Sequence, residues 1–203
     1  MADELRFEDS QRHVRAFKEG RAVVDSKRGR LVYGLSPYPV YAFPPEDVVL
    51  DEVTLAHRGE GWVVPEWEDD QTWMEEDEVV YAHPCDPHHR VDTRRSSRHV
   101  VVRVADVTVA DSHSPVLLFE TGLPVRYYLP RTHIRMELLR PSDRVSWCPY
   151  KGRATYWSVV TGDRTKRDVV WAYDHPLEDC SAIAGLLAFW NERVTLIVDD
   201  EEV

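Results

Sequence analysis

Apolar positions along the chain fall in short β-branched runs broken by turn residues, which predicts strands rather than helices. Residues 100–104 and 107–109 are two such runs, separated by Ala105-Asp106. Glu19-Gly20 fills the same place in an earlier run, so both segments are expected to be hairpins with two-residue turns. An apolar strand follows in each case, at residues 31–33 or 116–119, then a proline-containing turn and an aromatic strand at 40–43 or 125–129. Pro44 or Pro130 closes that strand, where a residue unable to donate a backbone hydrogen bond is tolerated.

The likeness is one of register. Sliding the chain by 86 positions aligns residues 13–48 with 99–134 without a gap. His13, Val14, Val23, Asp25, Ser26, Leu31, Tyr41 and Pro44 then meet identical residues at 99, 100, 109, 111, 112, 117, 127 and 130. Eight identities over 36 positions exceed the roughly two expected by chance, so the chain reads as two tandem, diverged copies of one mainly β domain. Copy one is placed at 13–85, a Pro-, His- and Arg-rich linker at 86–98, and copy two at 99–201.

Past the shared stretch the copies part. The second is expected to turn at residues 140–143, form strands near 154–160 and 169–173, and end in a hairpin of 186–190 with 194–198 around Asn191-Glu-Arg193. Residues 181–185 suggest a single helical turn. The first copy carries a shortened acidic stretch, rejoins at Val79-Val-Tyr-Ala82 against Val169-Val-Trp-Ala172, and lacks any counterpart of Cys148-Pro-Tyr-Lys-Gly152. It reads as degenerate.

Charge narrows the partners. A net charge of −11 repels phosphate backbones, and the one basic cluster, Arg94, Arg95 and Arg98, is too small to offset it, so no nucleic acid is expected. No apolar run is long enough to span a bilayer, and the start of the chain lacks the apolar core of a signal peptide, so a cytoplasmic protein without a membrane partner is expected. Three cysteines, Cys85, Cys148 and Cys180, have no close pair spacing, which argues against disulfides and against a cysteine-rich zinc site.

Several strings in copy two carry a family resemblance. They are Ala110-Asp-Ser112, Pro124-Val-Arg-Tyr-Tyr-Leu-Pro130, Met136-Glu-Leu-Leu139, Cys148-Pro-Tyr-Lys-Gly152, Trp171-Ala-Tyr173, Pro176, and Ile183-Ala-Gly185 followed by Ala188-Phe-Trp190. In that order they resemble the bacterial family known as domain of unknown function 427, sometimes labelled nucleotidyltransferase-like. The resemblance implies a tent-like fold akin to the Mss4 group, whose members often hold zinc through paired cysteine motifs. This chain has no such motif, so their metal is not implied. Nor does it have a glycine-rich phosphate loop to support the nucleotidyltransferase label.

Within these strings, Cys148 and Lys151 are the candidate catalytic pair: a tight turn at Pro149 and Gly152 can bring a thiol and a cation together, favouring the thiolate. A small buried cysteine is the competing reading. Arg126, Tyr127, Arg135, Tyr150, Trp171 and Tyr173 are the candidate ligand-binding residues, cations and aromatic rings that can line a concave site. Period two on a strand forces Arg126 and Tyr127 to opposite faces, so not all can share one pocket. The local cluster His83, Cys85, His88 and His89 is broken by Pro84 and Pro87 and is not expected to hold a metal. Three functions remain open: a small-molecule-binding domain, enzymatic or not, near residues 148–152; a thiol-dependent enzyme; or a noncatalytic protein-interaction module. The sequence leaves ligand, cofactor and oligomeric state open.

Overall fold

A computed structural model describes residues 5–203. The chain divides into two compact units, Met1–Asp86 and Pro87–Val203. Both are built from antiparallel strands, and among the described residues the only helical segments are five short 3-10 turns.

The first unit contains β1 (Arg6–Asp9), β2 (Val14–Lys18), β3 (Arg21–Ser26), β4 (Arg30–Tyr33), β5 (Val40–Ala42), β6 (Leu55–Gly59), β7 (Trp62–Pro65), β8 (Gln71–Glu75) and β9 (Glu78–Val80). They pair as β1-β4-β5, β3-β2-β8-β9 and β6-β7, and a bridge from Phe43 to Val63 ties β7 to the end of β5. Val14, Val24, Tyr41, Phe43, Val63 and Trp73 form the main core.

The second unit contains β10 (Val91–Arg95), β11 (Val100–Val104), β12 (Val107–Ser112), β13 (Val116–Glu120), β14 (Arg126–Leu129), β15 (Leu139–Cys148), β16 (Gly152–Thr161), β17 (Arg164–Ala172), β18 (Leu187–Phe189), β19 (Thr195–Val198) and β20 (Glu201–Glu202). A seven-stranded sheet runs β10-β13-β14-β18-β17-β16-β15, and a four-stranded sheet runs β12-β11-β19-β20. Alternation sorts the large sheet into two faces. Leu129, Val159, Val170, Ala172, Leu187 and Phe189 join Val100, Val102 and Val109 of the small sheet in one core. The opposite face carries Val116, Leu118, Tyr128, Ala154, Tyr156 and Ala188, packed with Cys180 and Ile183 of the 3-10 segment Glu178–Ile183.

Strand pairing recurs 86 positions apart. The turns Glu19-Gly20 and Ala105-Asp106 both have two residues at positive φ, as a type I′ hairpin requires. Each hairpin has a bulge at the matching point, Ala16/Phe17 and Val102/Arg103. The bridges Val24 to Val48 and Ala110 to Ile134 also correspond, as do β1 on β4 and β10 on β13.

Four expectations need correction. Residues 91–95, read as linker, form β10 at the edge of the large sheet, where three charged side chains in five disguise a strand. Residues 140–143, read as a turn, lie inside β15, because an edge strand tolerates Pro141 and a bulge follows Ser142. Residues 186–190 and 194–198 do not form a hairpin: β18 pairs with β14 and β17, whereas β19 pairs with β11 and β20. The 3-10 turn Asn191–Arg193 carries the chain from one sheet to the other. Finally, Val79 and Val80 lie in β9, which pairs with β8, whereas Val169–Ala172 lies inside the large sheet in β17; β8 pairs with β2 as β19 pairs with β11.

Candidate functional site

On the face of the large sheet turned away from the small one, period two brings Leu118 and Glu120 of β13, Arg126 and Tyr128 of β14, and Tyr156 of β16 into line. Trp171 of β17, with Tyr173 and Trp190 beyond the strand ends, completes the wall of a cavity of about 150 Å3. Lys151 joins them from the turn between β15 and β16. That turn is tight: the Lys151 amide donates to the Cys148 carbonyl at 3.3 Å, and Gly152 takes φ +91°, a conformation that side chains resist. The Leu177 amide donates to the Lys151 carbonyl at 3.2 Å and pins the turn from the far side.

The charged group of Lys151 lies inside. Its Nζ donates to Glu120 Oε2 at 2.5 Å, with the two side chains only 9% and 8% exposed. His89 Nε2 stands 3.1 Å from the other oxygen, Glu120 Oε1, and the His89 ring stacks on Tyr150 with centroids 4.4 Å apart. Burying an ion pair costs desolvation that Coulomb attraction recovers only with good geometry and further hydrogen bonds, and Glu120 has both here.

The aromatic wall is held by its own bonds. Trp171 Nε1 donates to the Tyr128 hydroxyl at 3.0 Å, and burial pushes that phenol's pKa well above its ordinary value, so it stays protonated. Burial does the same to Tyr173. The Tyr156 hydroxyl shares a 2.7 Å hydrogen bond with Ser146. Arg126 is gripped by both oxygens of Glu192, at 2.8 and 2.9 Å, with its guanidinium 5.8 Å from the Trp171 ring centroid. The Arg126 hydrogen bonds hold the Glu192 carboxyl below its usual pKa.

Of the residues singled out in sequence, Lys151, Arg126, Trp171 and Tyr173 line this cavity together. Tyr150 stacks on His89 just outside its lining. Tyr127 points the other way, against the core between the two sheets. Arg135 is exposed and pairs with Glu137 at 2.9 Å. Cys148 is half-buried against the apolar cluster of Tyr128, Tyr173 and Cys180 rather than in the cavity wall. Lys151, its expected activator, spends its charge on Glu120.

Sequence reasoning missed Glu120, Tyr128, Trp190 and His89. Glu120 had a signal: it is the acidic third member of an alternating series whose other members, Val116 and Leu118, are buried. The local histidine cluster disperses: the His83 ring stacks on Tyr38 in the first unit, while His89 serves Glu120 in the second. An open groove of about 500 Å3 in the first unit is lined by Lys18, Arg21, Glu52 and Glu68, whose charges bridge one another at 3.0–3.2 Å near solvent, which leaves little to recognise a ligand.

Residues 92–200, more than half of the chain and every wall of the cavity, match a family model described as Domain of unknown function (DUF427). No curated protein matches the chain.

Proposed function

The chain belongs to the DUF427 family, and on that footing we propose that its second unit binds a small, planar ring compound in the Glu120–Lys151 cavity. The observation that carries the reading is the buried ion pair in the wall of an aromatic cavity. Well-packed apolar residues in place of such a pair are commonly neutral or stabilising, so stability alone gives little reason for it. A carboxylate beside an ammonium instead offers an acceptor and a donor to one edge of a ligand, while Tyr128, Trp171 and Tyr173 offer ring contacts. The volume limits the guest: about 150 Å3 lies below the roughly 300–1,000 Å3 of drug-sized sites. One ring with short substituents is the size that fits.

The same reading takes the two sheets as a tent-like, Mss4-type frame and the two units as diverged copies of one domain. The pairings and bulges that recur 86 positions apart support the second point. The thiol-enzyme reading draws less support, because the cation meant to stabilise the thiolate is paired with Glu120.

Saturation-transfer NMR with phenol, benzoate, imidazole and uracil tests the proposal. Signals from at least one of these rings are expected, and Trp171→Ala should weaken them. No signal from any of the four, or signals indifferent to Trp171→Ala, would count against the cavity.

A further inference from the structure

The outer face at the open end of the β11–β12 hairpin gathers three metal-ligating side chains that no sequence motif connects. Val100 pairs with Ser112, so one step further out His99 lies across from His113. Their rings stack with centroids 4.1 Å apart and planes 13° from parallel. Asp111 is two residues before His113 and therefore shares its face; its Oδ1 lies 2.8 Å from His99 Nε2. One ligand atom from each of the three lies within 4.8 Å of the others, and among the described residues this is the only such group of three or more His, Cys, Asp or Glu side chains.

We propose that His99, Asp111 and His113 bind a divalent transition-metal ion of the zinc, nickel or copper class. Two ligands at i and i+2 on one strand with a third across an antiparallel partner place three donors on one side of an ion and leave the remaining positions to water. Imidazole nitrogens select these ions over magnesium and calcium, which prefer all-oxygen sites. Donors around a tetrahedral zinc stand about 3.3 Å apart, given bonds near 2.0–2.1 Å. Closing from 4.8 Å thus takes side-chain rotation alone, which the partly exposed rings permit.

The backbone beneath is already fixed. The His99 amide donates to Asp199 Oδ1 at 3.0 Å, and its carbonyl accepts from the Asp199 amide at 2.9 Å. The first unit repeats this frame with one ligand changed. His13 Nε2 stands 2.6 Å from Asp25 Oδ1, and Glu76 clasps the His13 backbone as Asp199 clasps that of His99. The third position, 86 residues before His113, holds Lys27, whose ammonium has no lone pair to give. Two units with one frame and one differing ligand supply an internal control.

The test is calorimetric titration of the tag-free, chelator-treated full chain with zinc chloride, paired with the visible absorption of the cobalt(II) form. One equivalent is expected to bind, with cobalt absorption of reduced coordination number. His113→Lys, which copies the first unit, is expected to weaken binding about 100-fold or more, since changes to outer-shell partners alone cost roughly 10–100-fold. Lys27→His, which completes the triad on the first unit, is expected to add a second equivalent. Absence of binding at zinc concentrations up to about 100 μM, a stoichiometry and affinity unchanged by His113→Lys, or a single equivalent persisting in Lys27→His each overturns the proposal.

Discussion

After β5 the first unit continues into the short β6–β7 hairpin, whereas after β14 the second unit inserts the ten-residue strands β15 and β16 before its sheet closes through β17 and β18. The inserted hairpin supplies the turn that brings Lys151 to the sheet face. The face itself also differs, since Glu120, Arg126 and Tyr128 stand where the count of 86 places Gly34, Val40 and Ala42 in the first unit. That unit has a groove of its own, about 410 Å3, lined by Tyr38, Val40, Val64, Trp67 and His83 and lacking any lysine or arginine. A shared frame therefore carries a charged, narrow cavity in one unit and a wider, less charged groove in the other. The inserted hairpin and the residues at these three positions of β13 and β14 contribute to that difference.

The comparison is sharpest at the charges. Removing one member of the buried pair, as in Glu120→Ala or Lys151→Met, is expected to cost about 3–5 kcal/mol, because the other charge is left buried and alone. Lys18 in the first unit pairs with Glu68 and Asp70 at 3.2 and 3.0 Å near solvent, so Lys18→Met should cost far less than either change at the buried pair. Urea denaturation of the three variants measures both. Comparable losses in the two units would erase the distinction drawn between them.

Behind the cavity, Cys180 is fully buried, its thiol donates to the Tyr150 carbonyl at 3.5 Å, and burial pushes its pKa up to about 11. At pH 8 roughly one thiol in a thousand is then ionised, so iodoacetamide should label Cys180 more slowly than half-buried Cys148 or Cys85. Peptide mapping of a labelling time course reads the order directly. Early labelling at Cys180 would mean that this wall of the second unit opens readily.

A smaller effect is expected from the Trp171 to Tyr128 hydrogen bond. Tyr128→Phe leaves the indole N–H without its acceptor and should cost about 1 kcal/mol, again by urea denaturation. The first unit, with Ala42 at the matching count, has no such bond to lose.

The smallest contrast is with pH. Ser26 Oγ donates to Asp47 in the first unit, where Ser112 Oγ meets His133 in the second. Arg28 hydrogen bonds hold the Asp47 carboxyl below its ordinary pKa, with Ser26 adding to the effect. A depressed carboxyl contributes stability that is complete above the unfolded pKa, near 4, and lost as pH falls through the lower folded value. The wild type should therefore lose stability more steeply as pH falls below about 4, and Asp47→Asn should flatten that dependence. Denaturation midpoints from about pH 6 to about pH 3 decide it. An unchanged slope would mean that Asp47 does not contribute.

What could be seen in the sequence was what is local. The β-branched runs, the two-residue turns and the 86-residue register all lie within stretches that a period of two can resolve, and the β2–β3 and β11–β12 hairpins stand where that pattern puts them. Partner choice is not local. Nothing in residues 186–198 says that β18 and β19 join different sheets, and a run such as Arg140-Pro-Ser-Asp143 looks like a turn until an edge is there to hold it. The cavity divides in the same way. Trp171 and Tyr173 were recognisable as aromatic candidates, and Lys151 as a cation at a tight turn. Tyr127 was separable from Arg126 by alternation alone, yet the facing of β13 that brings Glu120 to Lys151 depends on sheet order that only the folded chain reveals.

The central claim is that the Glu120–Lys151 pair is kept for binding rather than for stability, and one double variant tests it. Glu120→Met combined with Lys151→Met removes both charges and fills their volume, so urea denaturation is expected to give a stability at or above that of the wild type. Saturation-transfer signals from whichever ring compound binds the wild type should disappear in the same sample. A double variant that folds stably and still binds the ring, or one that loses about 3 kcal/mol or more of stability with both charges gone, would contradict the account.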